Sequence, residues 1–468
     1  MMSKHWNSPC DLSLSPESFQ KIYGRSKRLA TLTLGCKVNQ YETQAVTQLF
    51  EKAGYQWVAM DEPADVFLIN TCTVTSMSDR KSRQMIRRAR KLNPQAVIAV
   101  TGCYAQLSPE EVQKIEGVQV VAGTSERHRL VDAVQAVQPF QQSPVILVKS
   151  HEAGEAFETL SVNATREMTR AYVKIQDGCN QYCSYCIIPY ARGSIRSRNP
   201  EEVVAEIKAL IANGYQEVVL TGIHLASYGR ETHQPEALIQ LLEIIDQLPG
   251  LQRLRLGSLE PTLMKEDFVE RLMNLKSLCH HFHLSLQSGC DETLKAMNRK
   301  YSTAEYRDAV HRIRKGSERA AITTDIIVGF PGELEEHFQE TMRFVEETGF
   351  ADIHVFRYSP REGTPAAQYP DQVNEEIKNR RSQELSRKAT ELKREYFRRF
   401  DQEVVEVLVE QRLPDEPHLM EGHTRNYVKV FIPFRKEMIH QLVHVRIEGI
   451  LQDACRGQVV SRQVDYIT

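Results

Sequence analysis

Three cysteines fall close together in Cys179-Asn180-Gln181-Tyr182-Cys183-Ser184-Tyr185-Cys186. Thiolates are soft ligands that select iron–sulfur clusters, zinc or Cu(I) over hard cations. A C-x3-C-x2-C loop can hold three irons of a [4Fe–4S] cube. The fourth iron is then open to bind a small molecule and pass it an electron. The same thiolates are also most of a zinc site.

A second set of cysteines is scattered in sequence but not in pattern. Short apolar runs at Ala30–Leu34, Asp65–Ile69, Ala96–Thr101 and Val118–Val121 read as buried parallel strands, with helices expected at 40–53, 77–92 and 108–116. This is a small doubly wound α/β unit, whose ligands lie beyond the carboxyl ends of the strands. Cys36, Cys72 and Cys103 each follow one of the first three strands. They are expected to converge on one sheet edge and make a second cluster with an open iron. A single such cysteine would read as a buried apolar residue; three at equivalent strand ends do not. Gly35 and Gly102 let the backbone approach closely. Asn39 and Asn70 either donate to cluster sulfurs or cap the following helices. Cys10, Cys279, Cys290 and Cys455 read as isolated structural thiols.

The helix after Cys72 carries Arg80, Lys81, Arg83, Arg87, Arg88, Arg90 and Lys91 without an intervening acid. Such a run is often only a solvated face. Beside a metal centre it is expected to contact a phosphate backbone, with Arg83 and Arg87 as candidates.

These residues need a scaffold of several domains. The chain has 468 residues, 41% hydrophobic and 26% charged, and a net charge of -2. That is the composition of a globular enzyme with a core large enough to need no disulfides. Any nucleic-acid partner must be met by local basic patches rather than by overall charge. No apolar run is long enough to span a membrane, and residues 1–28 lack the apolar stretch of a secretory signal. A cytoplasmic location is expected, where cysteines serve metals or catalysis. The expected layout is an N-terminal extension at 1–28, the first cysteine domain at 29–148, a linker at 149–165, a central domain with its exit helix at 166–400, and a small domain at 401–468.

The central region repeats strand then helix six times. Strands are expected at Ala171–Ile175, Glu217–Leu220, Arg253–Leu256, Phe282–Leu286, Thr324–Val328 and Ile353–Phe356, which suggests a partial (β/α)6 barrel with its chemistry at the strand carboxyl ends. The C-x3-C-x2-C loop follows the first of these strands. Gly222, Glu260, Gln287, Ser288, Arg299 and Gly329 fall at or after the ends of later ones and are candidate contacts to a small molecule. Each alone is also ordinary loop chemistry. Tyr185 either shields the cluster, stacks on an aromatic ligand or packs in the core. The segment Arg357–Pro365, with Arg361, either closes over a substrate or is a domain exit. A charged helix at 372–400 carries the apolar stripe Val373, Ile377, Leu385, Ala389, Leu392 and Tyr396. Beyond it, β-rich runs at Glu403–Glu410, Tyr427–Phe431, Leu442–Ile447 and Gln458–Val464 fit a small antiparallel OB-like barrel. Its segment 422–427, with Arg425, is a candidate RNA contact; a structural cap is the alternative.

The cysteine loop resembles the signature of radical S-adenosylmethionine (SAM) enzymes. With Gly35-Cys36-Lys37-Val38-Asn39-Gln40-Tyr41-Glu42-Thr43 and Asn70-Thr71-Cys72-Thr73-Val74-Thr75, residues 29–467 resemble the radical SAM methylthiotransferases, and within them the threonylcarbamoyladenosine tRNA branch. The N-terminal extension departs from that pattern. The resemblance implies an N-terminal three-cysteine domain, a SAM barrel and a C-terminal TRAM domain. It implies two [4Fe–4S] clusters, on Cys179, Cys183 and Cys186 and on Cys36, Cys72 and Cys103, and two equivalents of SAM. Tyr185, Gly222, Glu260, Gln287, Ser288, Arg299 and Gly329 would then contact SAM, with Arg299 pairing its carboxylate and Gly329 lining adenine. The implied reaction is 2-methylthiolation of N6-threonylcarbamoyladenosine 37 in a tRNA anticodon stem-loop. A flavodoxin or ferredoxin system would supply electrons, and the sulfur donor is left open. Isopentenyladenosine 37, an aspartate of ribosomal protein S12, or a non-catalytic Fe–S RNA-binding role are the alternatives.

Overall fold

A computed structural model describes residues 11–462 apart from Ser13, 139–140, Gln142, Ala153 and 163–168. Cys10 and the start of the N-terminal extension, part of the linker and the end of the last expected strand lie outside the described residues. The chain divides into two compact units. The first is Met1–Val162 with Gln176–Arg198 and Ser359–Ala367; the second is Asn163–Ile175 with Asn199–Tyr358 and Gln368–Thr468.

The first unit is a six-stranded parallel sheet in the order β2-β1-β3-β4-β5-β6, comprising β1 (Arg28–Thr33), β2 (Gln56–Val58), β3 (Val66–Thr71), β4 (Val97–Gly102), β5 (Val118–Ala122) and β6 (Val145–Leu147). Every residue of β3 and β4 is buried. That is why these runs are continuously apolar: helices cover both faces. Phe67, Ile69, Ile98 and Val100 form the centre of this core, each contributing about 1.5–3 kcal/mol by burial. The helices are α1 (Pro16–Tyr23), α2 (Lys37–Lys52), α3 (Ser76–Leu92), α4 (Cys103–Leu107), α5 (Pro109–Val112) and α6 (Leu130–Gln135). The helix expected at 108–116 is the shorter α5, and a further short helix not among the expected elements, α4, precedes it. The break is at Ser108-Pro109: proline disfavours a helical residue before it and starts a new helix well. Strand β2 is not among the expected elements, because three residues at a sheet edge carry no periodic signal. The chain re-enters this unit at the end of β7 (Arg170–Asp177), whose Gln176 and Asp177 pair with Ser197 and Arg196 of β8 (Arg196–Ser197). Between them lies the C-x3-C-x2-C loop and α7 (Ile188–Arg192).

The second unit carries the barrel strands. They are the start of β7 with β9 (Glu217–Gly222), β10 (Arg253–Leu256), β11 (His281–His283), β12 (Ala321–Val328) and β13 (Asp352–Arg357). Registers β9–β10, β11–β12 and β12–β13 are parallel, and bridges Leu254↔Leu278 and Leu259↔Leu284 join β10 to the start and continuation of β11. Helices α8 (Pro200–Ala212), α9 (Ala237–Asp246), α10 (Glu266–Met273), α11 (Asp291–Ala296), α12 (Thr303–Gly316) and α13 (Glu335–Thr348) alternate with them. This is the six-fold β/α repeat legible in the sequence.

Helix α14 (Glu375–Arg398) packs Leu385, Ala389 and Leu392 into the same core. Its first turns depart from the expected stripe. Ile377 is exposed, and Lys378 and Arg381 are buried in its place. Arg381 donates to the Glu333 carbonyl oxygen at 3.0 Å and lies 3.1 Å from its carboxylate, so a paired cation replaces an apolar contact.

The C-terminal barrel is closed, in the order β14 (Val404–Arg412), β15 (Leu419–Thr424), β16 (Lys429–Pro433), β18 (Ala454–Arg462), β17 (Leu442–Leu451). Five strands are present where the sequence shows four β-rich runs. Four of the five pairings are antiparallel; β16 and β18 pair in parallel, which is what closes the ring. Tyr427 sits at positive φ in the β15–β16 turn. Its ring stacks on His281 and His423 at 4.8 and 4.6 Å, with the Arg170 and Arg255 guanidinium groups 5.0 and 4.7 Å from its centre, at the amino ends of the central barrel's strands. Buried Glu217 pairs with Arg170, Arg253 and Arg255; burial pushes its carboxyl up, but Arg255 and Arg170 outweigh that and hold it well below the usual range.

Candidate active site

All six cysteines of the two triads lie in the first unit. Cys36 is the N-cap of α2, extended at φ -102° and making no cap bond, so the helix start faces its thiol. Cys72 follows β3, and Cys103 opens α4 directly after β4. Burial pushes Cys72 up, the Val74 N–H opposes this, and Cys36 adds to the rise. Burial pushes Cys103 up to about 11, Arg192 works against it, and Cys72 and Cys36 add to it. Converging, unbridged thiols of this kind suit a group that carries positive charge and displaces their protons, as an iron–sulfur cluster does.

The glycines explain how close the loops come. A Cβ on Gly35, at φ +107°, would stand 3.1 Å from the Cys72 sulfur and 2.9 Å from its Cβ. A Cβ on Gly102 would stand 2.4 Å from the Thr71 carbonyl oxygen. The asparagines neither cap helices nor point solely at sulfur. Asn39 donates to the Leu34 and Thr71 carbonyls at 2.7 and 3.2 Å, while its oxygen lies 3.9 Å from the Cys36 sulfur. Asn70 donates to the Asn39 carbonyl and the Thr43 hydroxyl, both at 3.1 Å. Together they clamp the first two cysteine loops; Thr75 is the residue that caps α3.

In the other triad, Gly178 at φ +71° lets the loop turn against Ser194, whose carbonyl oxygen would be 1.9 Å from a Cβ there. Cys179 N–H donates to the Gly193 carbonyl at 3.1 Å, and Cys186 N–H to the Cys183 carbonyl at 2.9 Å. Cys179 and Cys183 are buried, and Cys186 is partly open. Tyr185 is half-buried; its neighbour Tyr182 is exposed at positive φ and meets Tyr190 edge-on at 6.0 Å. Three sulfurs on one tight, glycine-supported loop, one of them open to solvent, fit a cluster with an accessible iron.

Two connections between the triads escaped the sequence. Arg192, at the end of α7, is fully buried. It donates to both carboxylate oxygens of Glu42 in α2 at 2.8 and 3.1 Å, to the Asn39 oxygen at 2.7 Å and to Asp177 at 3.0 Å. Burial works against its charge, and Cys103, Glu42 and Asp177 more than compensate. Glu42 is shared with Arg127, which also pairs with Glu158. The only sequence signal is a lone arginine six residues after the last loop cysteine. The second connection is the Ser359–Ala367 strap. Arg361 does not reach out over a substrate: its guanidinium pairs with Asp79 and donates to the Thr73 hydroxyl beside Cys72. The strap is thus held to one triad at Arg361; near its end, Ala366 N–H donates to the Ser184 carbonyl of the other at 2.8 Å.

The remaining cofactor candidates lie in the second unit. Glu260 and Arg299 are brought together with each other, at 3.0 Å. Arg299 thus meets a buried anion through one nitrogen, and its Nε donates to the Tyr301 hydroxyl at 3.0 Å. His224, which has no distinguishing sequence signal, contacts the other Glu260 oxygen at 3.0 Å and holds Ser227 through its second nitrogen at 2.5 Å. Gln287 adopts φ +70°, a strained conformation typical of functional loops. Ser288 lies 3.3 Å from the Thr341 hydroxyl, and Gly222 ends β9 half-buried. Gly329, at φ +71°, faces Lys378, whose Cγ would be 2.3 Å from a Cβ there. Packing alone thus demands glycine at 329.

Arg83 and Arg87 line an open groove of about 770 Å³ on α3 together with Arg90, Lys91, Lys114 and Tyr104; Glu111 and Glu116 also line it, 3.9 Å from Arg83 and 3.7 Å from Arg90, which leaves an excess of cations. Arg83 donates to the Tyr104 hydroxyl at 3.1 Å, and Arg87 is exposed. Arg425 is a correction. Its guanidinium donates to the Gln252 and Ser277 carbonyls at 2.8 and 3.3 Å and to Glu406 at 3.2 Å. The 422–427 segment grips the central barrel of its own chain, because the strand amino ends there offer carbonyl acceptors. Among the described residues no helix is long and apolar enough to cross a membrane.

Comparison with known proteins adds the family. Residues 173–345 match the model of the radical SAM superfamily, and residues 28–123 match that of an uncharacterized protein family, UPF0004. A Bacillus subtilis protein named threonylcarbamoyladenosine tRNA methylthiotransferase MtaB is 42% identical over 93% of this chain and 97% of its own length. This chain belongs to the radical SAM methylthiotransferase family. Membership implies a [4Fe–4S] cluster and SAM. A Bacillus cereus tRNA-2-methylthio-N(6)-dimethylallyladenosine synthase is 35% identical over 96% of this methylthiotransferase and 89% of its own length. Among solved structures, the radical SAM methyltransferase TsrM from Kitasatospora setae superposes with a TM-score of 0.55 at 17% identity, covering 73% of this chain and 74% of that one, which establishes a shared fold.

Proposed function

We propose that this methylthiotransferase acts on tRNA, converting N6-threonylcarbamoyladenosine 37 to its 2-methylthio form, with [4Fe–4S] clusters on both cysteine triads. The observation that carries the nucleoside is the 42% identity, over nearly the whole chain, to the Bacillus subtilis protein of that name. The second cluster is supported by the placement of Cys36, Cys72 and Cys103 at successive strand ends, close enough that Cys36 raises the proton affinity of Cys72, and both raise that of Cys103. When bound, the clusters supply an electron for SAM cleavage and a sulfur for transfer; the carbon–hydrogen bond at C2 of adenine offers acid–base chemistry no handle.

The protein's part is placement. Arg192 and the Ser359–Ala367 strap hold the two cysteine loops in one unit. Arg192 also sets a positive charge beside Cys103, favouring the thiolate that an iron requires. The cationic groove on α3 suits the phosphates of an anticodon stem, so that a loop base can be splayed toward the cysteines. An electron donor of the flavodoxin or ferredoxin class would approach the loop at its open cysteine, Cys186.

Nucleoside mass spectrometry of total tRNA from cells with and without the gene tests the reading. Loss of 2-methylthio-N6-threonylcarbamoyladenosine with build-up of its precursor is expected. An unchanged level, in cells with no second such enzyme, refutes it. Loss of the methylthio isopentenyl nucleoside instead would favour the chemistry named for the Bacillus cereus relative.

A further inference from the structure

Three side chains in the second unit converge without a role in the reaction above. His283 ends β11, Asp325 lies in β12 and His354 in β13. Their register makes the meeting geometric. His283 pairs with Thr323 and Asp325 with His354, so Asp325 is two residues beyond the partner of His283, on the same face of a parallel sheet. The alternate residues Phe282, Leu284, Ile322, Ile326 and Ile353 are buried in the core beneath the helices. The triad therefore looks the other way, into the partial barrel.

We propose that His283, Asp325 and His354 form a binding site for a divalent transition-metal ion of the zinc type. One potential ligand atom from each residue lies within 4.8 Å of the others. His283 Nε2 is 3.3 Å from one Asp325 oxygen, and His354 Nδ1 is 3.1 Å from the other. Charge-assisted hydrogen bonds are usually shorter, about 2.7–2.9 Å. Ligands at about 2.0–2.1 Å from a tetrahedral ion stand about 3.3–3.4 Å apart; here the two histidines meet different oxygens of one carboxylate, so an ion between them is taken by both Asp325 oxygens or after a rotation of that carboxylate. The two imidazoles stack at 5.9 Å and 27°, which turns their nitrogens toward the same carboxylate. His283 is oriented from behind: its Nδ1 lies 3.1 Å from the Thr323 hydroxyl, the kind of support that fixes a ligating histidine. Two imidazoles and one carboxylate leave a coordination position open, and the absence of sulfur separates this donor set from the cysteine triads. The side chains are 13%, 28% and 60% exposed, which leaves a path for an ion.

The test uses the holoenzyme with both cysteine triads already loaded with iron. Zinc is offered under a chelator buffer, and zinc and iron per chain are measured by mass spectrometry. The ion is then located by anomalous scattering on both sides of the zinc edge. Wild type is expected to keep one zinc between the three residues. Asp325→Asn and His354→Ala are expected to bind it about 100-fold more weakly, with iron content unchanged. Should Asp325→Asn fail to fold, His354→Ala and His354→Gln decide, because His354 is well exposed and its loss opens no cavity. Failure of wild type to retain zinc, or retention that these substitutions leave unaltered, would overturn the proposal. The readout is metal content, so it stands or falls separately from the nucleoside assignment.

Discussion

Replacing Arg192 by Met removes a fully buried guanidinium and its four hydrogen bonds to Asn39, Glu42 and Asp177. Met fills most of the volume, so the loss is electrostatic rather than a cavity. Glu42 keeps Arg127 at 2.9 Å, while Asp177 is left with the more distant Arg196 at 3.7 Å. Taking one partner from a buried ion network costs about 3–5 kcal/mol. With a urea slope of about 2–3 kcal/mol per molar, a loss of about 4 kcal/mol moves the unfolding midpoint down by about 1.5 M. Arg192→Lys keeps the charge but not the fork, and about half of that shift is expected. The measurement is urea unfolding of the cluster-free protein followed by the fluorescence of Trp57, which sits in β2 of the same unit. A second readout is the affinity for iron, since Cys103 loses its neighbouring cation and its thiol rises further. A midpoint shift below about 0.4 M for Arg192→Met, or a Lys variant no better than Met, would refute the view that this arginine holds the cysteine loops together.

Gly102→Ala places a Cβ 2.4 Å from the Thr71 carbonyl oxygen at φ +99°; iron per chain after reconstitution is expected to fall by about half, through loss of one of two clusters, and full iron content would contradict the close approach. Arg87→Ala is expected to weaken tRNA binding and to reduce the salt slope of log K by about 1; binding curves at several salt concentrations that leave the slope unchanged would remove the α3 groove from the interface. Glu333 gives a pH signature. Burial pushes its carboxyl up to about 7, against Arg381 and the Gly329 N–H. A carboxyl raised in the folded state stabilises most at low pH, and that contribution is lost as pH rises from about 4.5 through 7. Wild type should therefore lose up to about 3 kcal/mol relative to Glu333→Gln across that window; parallel stability curves for the two proteins would show that Arg381 keeps the carboxylate ionised throughout.

The sequence by itself determined the cysteines, the strands that carry them and the repeat that builds the barrel. Those features are local: apolar runs with a period of two or 3.6, turn residues, and ligand spacing within one loop or at strand ends. Cys36, Cys72 and Cys103 are legible as a set because parallel β/α connections put every strand end on one edge. The tertiary structure decided which polar residues meet. Arg192 and Glu42 are 150 positions apart, and nothing in either neighbourhood announces a buried ion pair. Arg299 has the sequence context of a group awaiting a ligand, and only the fold shows that Glu260 stands 3.0 Å away as its partner. Arg425 and Tyr427 have the composition of an RNA-binding loop, yet the barrel's amino end offers carbonyls, cations and His281 at the right distance. Long-range pairing of charges depends on which surfaces the fold brings together, and a one-dimensional pattern contains the charges without their partners.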